Sequence, residues 1–265
     1  MDAAAVGLVL VAAALHAGWN VALHGADDRV AGMAVAGIGG GLALVPFLLA
    51  DPPTEVLHLA VLSGVAETAY VLALAAAYGR GALSLAYPVG RGTAPLLTTL
   101  GGWLLLSEPP GPLGLLGAAI LGGGLVLLGL EARRSGSLDA LGFAVLVGLT
   151  ITAYSLIDAG AVRRTSPPGY LCVSFLVQGV LTAAAVRFHP GRLRAALRPG
   201  ALIAVGTTGA YLLVLFAFRL APVGRVATLR ETSVLLGILA SRERPGPRIW
   251  VGAALCVAGA ILVAV

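Results

Sequence analysis

Charged residues are scarce in this 265-residue chain, and lysine is missing altogether. Charged side chains make up 11% of the residues, and all 17 basic ones are arginines. The absence of lysine excludes an enzyme that works through a Schiff base or a lysine nucleophile. The arginines lie in loops and at helix ends rather than on one stripe, so the net charge of +5 does not indicate a nucleic-acid partner.

Cysteine is also rare, and the spacing of metal ligands is missing. Cys172 and Cys256 both lie in apolar segments and are expected to be small core residues rather than a disulfide pair. The four histidines and the acids show no run such as His-Glu-x-x-His. With no metal motif and no nucleophile–base pair, we expect neither a cofactor nor an enzyme.

Apolar residues are abundant instead: they make up 58% of the chain, and its mean hydropathy is +0.97. Soluble domains are about 45–50% apolar and about 25% charged. A membrane-spanning helix needs about 20 mainly apolar residues. The sequence therefore predicts an all-α integral membrane protein, in the inner (plasma) membrane, with ten transmembrane helices at about 3–23, 30–50, 55–78, 82–106, 112–130, 138–160, 169–187, 200–218, 222–241 and 247–265. No arginine precedes Arg29, so the first segment is expected to be a spanning helix rather than a signal peptide.

The two halves of the chain repeat each other. The stretch 107–112 (SEPPGP) recurs at 242–247 (RERPGP), an offset of 135 residues from Glu108 to Glu243. Arg91 and Arg230 correspond at an offset of 139. We therefore divide the chain into five-helix repeats, 1–133 and 134–265. Five is odd, so the halves enter the membrane from opposite sides, which is the inverted repeat of many secondary transporters.

Several motifs resemble those of the drug/metabolite transporter superfamily, specifically its EamA-type ten-helix transporters. The motifs are Leu15–Asn20 (LHAGWN), Ala86–Pro95 (AYPVGRGTAP), Leu229–Ser233 (LRETS), and the glutamates that end helices four and nine, Glu108 and Glu243. The resemblance implies that helices one to four and six to nine line a central cavity, that helices five and ten brace it, and that the protein exports its substrate. One departure is that helix nine is about one turn shorter than is usual in that family.

Ionisable residues inside the apolar segments are the candidates for substrate binding. Placing an ionised side chain in a membrane costs free energy, so such residues are rare and usually functional. Arg91 and Arg230 are equivalent in the repeat and could together clamp a carboxylate or phosphate. Helical spacing puts Tyr87 on the face of Arg91, and the hairpin of helices three and four brings Glu67 to the depth of Arg91. The alternative for each group is a structural ion pair between helices.

Further candidates lie near these residues. Tyr70 follows Glu67 on one face, Tyr154 precedes Asp158 by one turn, and Tyr211 is expected beside Arg230. The side chains of Trp19 and Asn20 on helix one end in polar groups, so both are further candidates for substrate binding. Glu67, Asp158 and His16 are the candidates for taking up and releasing a proton during transport.

Small residues recur every fourth position at Gly37 and Gly41, and at Gly252, Cys256 and Ala260. They favour close helix packing, either within one chain or at a homodimer seam, so the protein is expected to be a monomer or a homodimer. The arginine count of the loops places both termini outside the cell, whereas the resembled family has both inside.

These observations predict a secondary active transporter of small polar metabolites, anionic or zwitterionic, that works by alternating access and is proton-coupled through one of the buried acids. Its partners would be that substrate and membrane lipid. A lipid or lipid-phosphate flippase of the same fold is the first alternative, and a structural membrane subunit that transports nothing is the second.

Overall fold

A computed structural model describes residues 1–78, 83–134, 138–230 and 246–264. Side chains at positions 78, 83–88, 91, 132, 140 and 264 are outside this description. All regular structure in the described ranges is helical: α1 Ala3–His24, α2 Arg29–Ala43, α3 Val45–Ala50, a 3₁₀ turn Thr54–Val56, α4 Leu57–Tyr78, α5 Leu83–Leu106, α6 Pro112–Arg134, α7 Leu138–Val162, α8 Pro167–Ala185, α9 Pro190–Ala195, α10 Leu197–Leu220, α11 Val223–Arg230 and α12 Pro247–Ala264.

Six helical spans in the described ranges are long and apolar enough to cross a membrane: Ala3–His24, Thr54–Ala77, Pro112–Glu131, Leu141–Val162, Pro167–Ala185 and Leu197–Leu220. Shorter apolar helices occur at Arg29–Ala43, Gly92–Leu106 and Pro247–Val263. The protein is therefore a multi-pass integral membrane protein, and the count of ten spans stays a prediction.

One predicted segment is broken into two helices in the structure, and another lies only partly within the described residues. The segment 30–50 is divided into α2 and α3, because Pro46 lies at the start of α3 and has no N–H to continue the α2 hydrogen bonding. The segment 222–241 is described only as α11, which ends at Arg230. The shortened helix nine and Glu243 fall in 231–245 and lie outside the described residues.

The surface of the helix assembly is apolar and its interior holds polar groups, as a bilayer requires. Large aliphatic side chains such as Leu49, Leu104, Leu202 and Val205 are exposed. Acids, amides and hydroxyls are buried among the helices, and an arginine, Arg230, is fully buried. This distribution, with apolar side chains outside and polar groups inside, stabilises the fold in lipid, because charged groups in a membrane face the interior of the bundle or a cavity.

Helix pairs in the two halves correspond to each other. Following the predicted repeat, α1, α2, α4, α5 and α6 are equivalent to α7, α8, α10, α11 and α12. The packing of α1 on α10 then matches that of α7 on α4, and the packing of α2 on α10 matches that of α8 on α4. In addition, α2 packs on its own equivalent α8, and α6 packs on its own equivalent α12. A pseudo-twofold relation between the halves predicts this pattern.

The closest helix pair, α6 with α12, shows the same reciprocity at individual glycines. A Cβ on Gly117 would lie 2.6 Å from the carbonyl oxygen of Gly259, and a Cβ on Gly124 would lie 2.8 Å from that of Gly252. The 135-residue offset converts Gly117 to Gly252 and Gly124 to Gly259, so it exchanges the two contacts. The helices are antiparallel, and only residues without a side chain allow this approach.

The other stripe of small residues is also used inside the chain. A Cβ on Gly37 of α2 would lie 2.8 Å from the Cα of Gly179 on α8, and one on Gly41 would lie 2.7 Å from the Cγ of Leu176. Both sets of small residues thus pack against helices of the same chain, which is the first of the two arrangements that the sequence allowed. The homodimer stays a prediction.

Candidate substrate-binding site

A cavity lies between the two halves of the protein. Its empty space, including the open mouth, is about 480 Å³. The described part of its wall comes from six helices, three from each half: α1, α2 and α4, with α7, α8 and α10. The lining residues are His16, Trp19, Met33, Ala36, Gly37, Glu67, Tyr70, Val71, Tyr154, Phe175, Gln178, Thr207 and Tyr211.

Helical spacing explains why the polar groups converge. Glu67 and Tyr70 on α4 are three residues apart, and Thr207 and Tyr211 on α10 are four apart, so each pair projects from one helix face. Both faces are turned to the cavity. The outward faces of the same helices carry apolar side chains such as Val205. Each helix therefore presents its polar groups to the cavity and its apolar ones to lipid.

An aromatic wall, defined as Tyr70, Tyr154, Tyr211 and Phe175, bounds one side of the cavity. The ring centroids of Tyr70 and Tyr154 are 5.9 Å apart and those of Tyr154 and Tyr211 are 5.6 Å apart, both in edge-to-face geometry. Phe175 stacks on Tyr211 at 6.2 Å. The four rings come from four helices and belong to both halves, so the wall joins the halves with favourable ring geometry.

Asp158 lies behind this wall and is fully buried. The Tyr170 hydroxyl donates a hydrogen bond of 2.7 Å to its Oδ1, and the Tyr211 hydroxyl donates to its Oδ2. Arg230, also fully buried, interacts with Asp158 electrostatically. The carboxylate is therefore held by two hydroxyls and a positive charge, which is what a buried charge needs in order to be stable.

Glu67 has a different environment, although it is close to Asp158. It lines the cavity, is only 6% exposed and interacts electrostatically with Asp158. Its Oε2 accepts no hydrogen bond from any residue that the structure describes. The structure brings Glu67 and Asp158 into a single cluster, in which Oε2 of Glu67 is buried and has no hydrogen-bond donor among the described residues.

Helix α1 contributes a small hydrogen-bonded group. The Trp19 indole N–H donates to Nδ1 of His16 at 2.8 Å, and the Asn20 amide donates to the backbone carbonyl of His16 at 2.8 Å. The Nδ1 atom of His16 is therefore the acceptor in this group. His16 and Trp19 face the cavity, whereas Asn20 is not among its described lining residues.

Most of the predicted site residues are thus close together. His16, Trp19, Glu67, Tyr70, Tyr154 and Tyr211 line the cavity. Asp158 lies behind Tyr211, accepts a hydrogen bond from its hydroxyl and interacts electrostatically with Arg230. The side chains of Arg91 and Tyr87 lie outside the described residues, so the Arg91–Arg230 clamp and the Glu67–Arg91 pair stay predictions.

Other lining residues were not found from the sequence. Phe175, Thr207 and Met33 are uncharged and look like ordinary residues of a spanning helix. Gln178 offered a signal, because an amide is unusual in an apolar helix; its Nε2 donates to Thr182 Oγ1 at 2.8 Å. Tyr170 was missed because its partner, Asp158, lies on a different helix.

Ion pairs join the two halves beyond both ends of the cavity helices. At one end, Glu108 pairs with Arg163 and accepts a hydrogen bond of 2.8 Å from the backbone N–H of Val223, where α11 begins. At the other end, Arg192 donates from Nε to Asp28 at 2.6 Å. Glu131 and Arg248 approach to 3.7 Å. Each pair links an acid of the first half to an arginine of the second.

Comparison with known proteins agrees with this architecture. A solved crystal structure, whose title names no function, matches the fold with a TM-score of 0.68 and 20% identity, over 99% of this chain and 98% of its own. None of the curated proteins matches the chain. The second half, residues 138–265, matches the EamA-like transporter family. This match covers slightly less than half of the chain, and it agrees with the resemblance of the motifs to the drug/metabolite transporter superfamily.

Proposed function

We propose that the protein is a secondary active transporter that carries small polar metabolites across the plasma membrane by alternating access, in the direction of export. The observation that carries this proposal is the cavity between two related halves, whose described lining comes from three helices of each half. A site at the interface of inverted repeats can be exposed to either side when one half rocks against the other. Export rests on the resemblance of the motifs to the family.

The ion pairs at the two ends supply contacts that such a motion would exchange. Opening the cavity at one end would separate Glu108 from Arg163, while opening it at the other end would separate Asp28 from Arg192. Both pairs are partly exposed to solvent. Exposed pairs contribute only about 0–1 kcal/mol each, so they can break during a transport cycle.

Proton coupling is assigned to Glu67 in this proposal. Of the two neighbouring acids, Asp158 is fixed by two tyrosine hydroxyls and by Arg230, whereas Glu67 faces the cavity. A proton on Glu67 would remove its charge when no substrate is present. Asp158 then acts on the site by holding Tyr211 in place.

The test is transport by purified protein in liposomes loaded with a pool of cellular metabolites and analysed by mass spectrometry. Thr207→Trp, which fills the cavity, is expected to abolish efflux, while Val205→Trp on the lipid-facing side of the same helix is expected to leave it unchanged. Equal efflux by both variants would contradict the proposal. Movement of a labelled lipid without any metabolite efflux would favour the flippase instead.

A further inference from the structure

Four arginines lie close together in the connection between two of the spanning helices. This α8–α10 connection, residues 186–198, follows α8 and includes the short helix α9 and the first two residues of α10. We propose that it binds the head group of an anionic phospholipid, with Arg187, Arg194 and Arg198 on the phosphate and Phe188 beside the acyl chains. The proposal concerns the surface that meets the bilayer, and it is independent of what the cavity carries.

The charge of the α8–α10 connection is positive and largely uncompensated. No acidic residue occurs from 159 to 230. Arg192 is paired with Asp28, to which its Nε and Nη2 donate at 2.6 and 3.1 Å, and in the adjoining turn Asp27 and Arg29 offset each other in charge. The other three arginines are exposed, and their side chains make no hydrogen bond or ion pair with any residue that the structure describes. Their guanidinium groups match the oxygens of a phosphate in charge and in geometry.

The depth of these arginines follows from the adjoining helices. Both α8 and α10 are long and apolar enough to cross a membrane, so the connection lies where one span ends and the next begins. On α10, Arg198, Leu202 and Val205 have the i, i+4, i+7 spacing of a single helix face. Leu202 and Val205 are 67% and 74% exposed, as side chains that contact lipid tails are. Arg198 lies about 6 Å further along the helix axis, on the same face, and therefore at the level of the lipid head groups.

The turn after α8 carries side chains that its backbone does not favour. The N–H groups of Arg187 and Phe188 donate to the carbonyls of Ala184 and Ala183 at 2.8 and 2.9 Å, which is the Schellman pattern of a helix end. Arg187 and Phe188 have φ angles of 55° and 49°, a left-handed conformation that favours glycine. The Phe188 ring is also 54% exposed. A bilayer accounts for both residues, because aromatic rings and arginines on one segment bind at the boundary between acyl chains and head groups.

Titration of the purified full-length protein with soluble lipids tests the proposal. The protein is kept in a neutral detergent, and its melting temperature is measured against dioctanoyl phosphatidylglycerol, dioctanoyl phosphatidylcholine and inorganic phosphate. A ligand that binds only the folded protein raises the melting temperature once its concentration exceeds its Kd. We expect phosphatidylglycerol to bind about tenfold or more tightly than phosphatidylcholine, and phosphate to have no effect at the same concentrations. Equal affinities of the two lipids, or full stabilisation by phosphate alone, would overturn the proposal.

Two variants of equal net charge locate the effect. The first replaces three arginines of the connection: Arg187→Gln, Arg194→Gln and Arg198→Gln. The control replaces three exposed arginines elsewhere in the chain: Arg133→Gln, Arg164→Gln and Arg219→Gln. One arginine near an anionic lipid surface contributes about fivefold to affinity, so the first variant should bind phosphatidylglycerol about tenfold or more weakly than the wild type, and the control should bind it within about threefold of the wild type. Equal losses in the two variants would contradict the proposal.

A single substitution, Arg187→Gly, separates lipid binding from stability. Glycine adopts a positive φ angle without steric conflict, so this variant should melt at a higher temperature than the wild type when no lipid is added. Its affinity for phosphatidylglycerol should nevertheless fall about fivefold. A lower melting temperature without lipid, or an unchanged affinity, would contradict the proposal. None of these measurements depends on transport, so their failure would leave the proposed function intact.

Discussion

Removing the hydroxyl of Tyr211 tests the buried network most sharply. Tyr211→Phe deletes the hydrogen bond to Oδ2 of Asp158 and keeps the ring that packs on Tyr154 and Phe175. A hydrogen bond to a charged group contributes about 1.5–3 kcal/mol to the free energy of unfolding. At about 2–4 °C per kcal/mol for a chain of this size, the melting temperature should fall by about 3–12 °C.

A double-mutant cycle separates this bond from general damage to packing. Tyr211→Phe, Asp158→Asn and the double variant are purified in detergent, and thermal unfolding is followed by intrinsic fluorescence. If the two residues are bonded, the double variant should lose at least ~1 kcal/mol less than the sum of the single losses. Additive losses, within about 0.5 kcal/mol, would refute the contact between Tyr211 and Asp158.

Three further predictions concern helix packing and the ends of the cavity. Gly124→Leu should lower the free energy of unfolding by about 1–3 kcal/mol, because its Cβ would meet the α12 backbone. Gly122→Leu, on the open side of α6, should not lower it. Similar melting temperatures for the two variants would contradict the α6–α12 contact. Glu108→Gln should change the free energy of unfolding by less than about 1 kcal/mol, yet raise the labelling rate of a cavity cysteine from that end several-fold; an unchanged rate would show that the Arg163 pair does not hold the end closed. The hydrogen bond from Arg192 lowers the pKa of Asp28 below its ordinary value of 3.8, so the pair stabilises the protein at neutral pH and this contribution is lost as the pH falls below 3.8. The difference in melting temperature between wild type and Arg192→Gln should therefore shrink between pH 7 and pH 3, and a difference that is constant over this range would contradict the assignment.

The sequence predicted the parts of this molecule that depend on local pattern. Apolar segments indicated the spanning helices. Ionisable and aromatic residues within those segments indicated six residues of the cavity wall, because polar groups inside a spanning helix are rare and usually have a function. The spacing of Glu67 and Tyr70 was enough to put both on one face.

Contacts between distant helices could not be read from the same patterns. Asp158 accepts from Tyr170 on the next spanning helix and from Tyr211 on α10, and nothing in the local sequence selects these two tyrosines over others. The meeting of Glu67 with Asp158 depends on how α4 packs on α7. The contribution of Phe175 was hidden because an aromatic residue on an apolar helix is more often an ordinary core residue.

Accessibility of one cavity position from both sides of the membrane tests alternating access most directly and needs no known substrate. Thr207→Cys is placed in a background with alanine at the two buried cysteines, Cys172 and Cys256. A membrane-impermeant maleimide is then applied to either face of sealed vesicles, with and without a proton gradient. The account predicts labelling from both faces, in proportions that the gradient changes. Labelling from one face alone under every condition would contradict it.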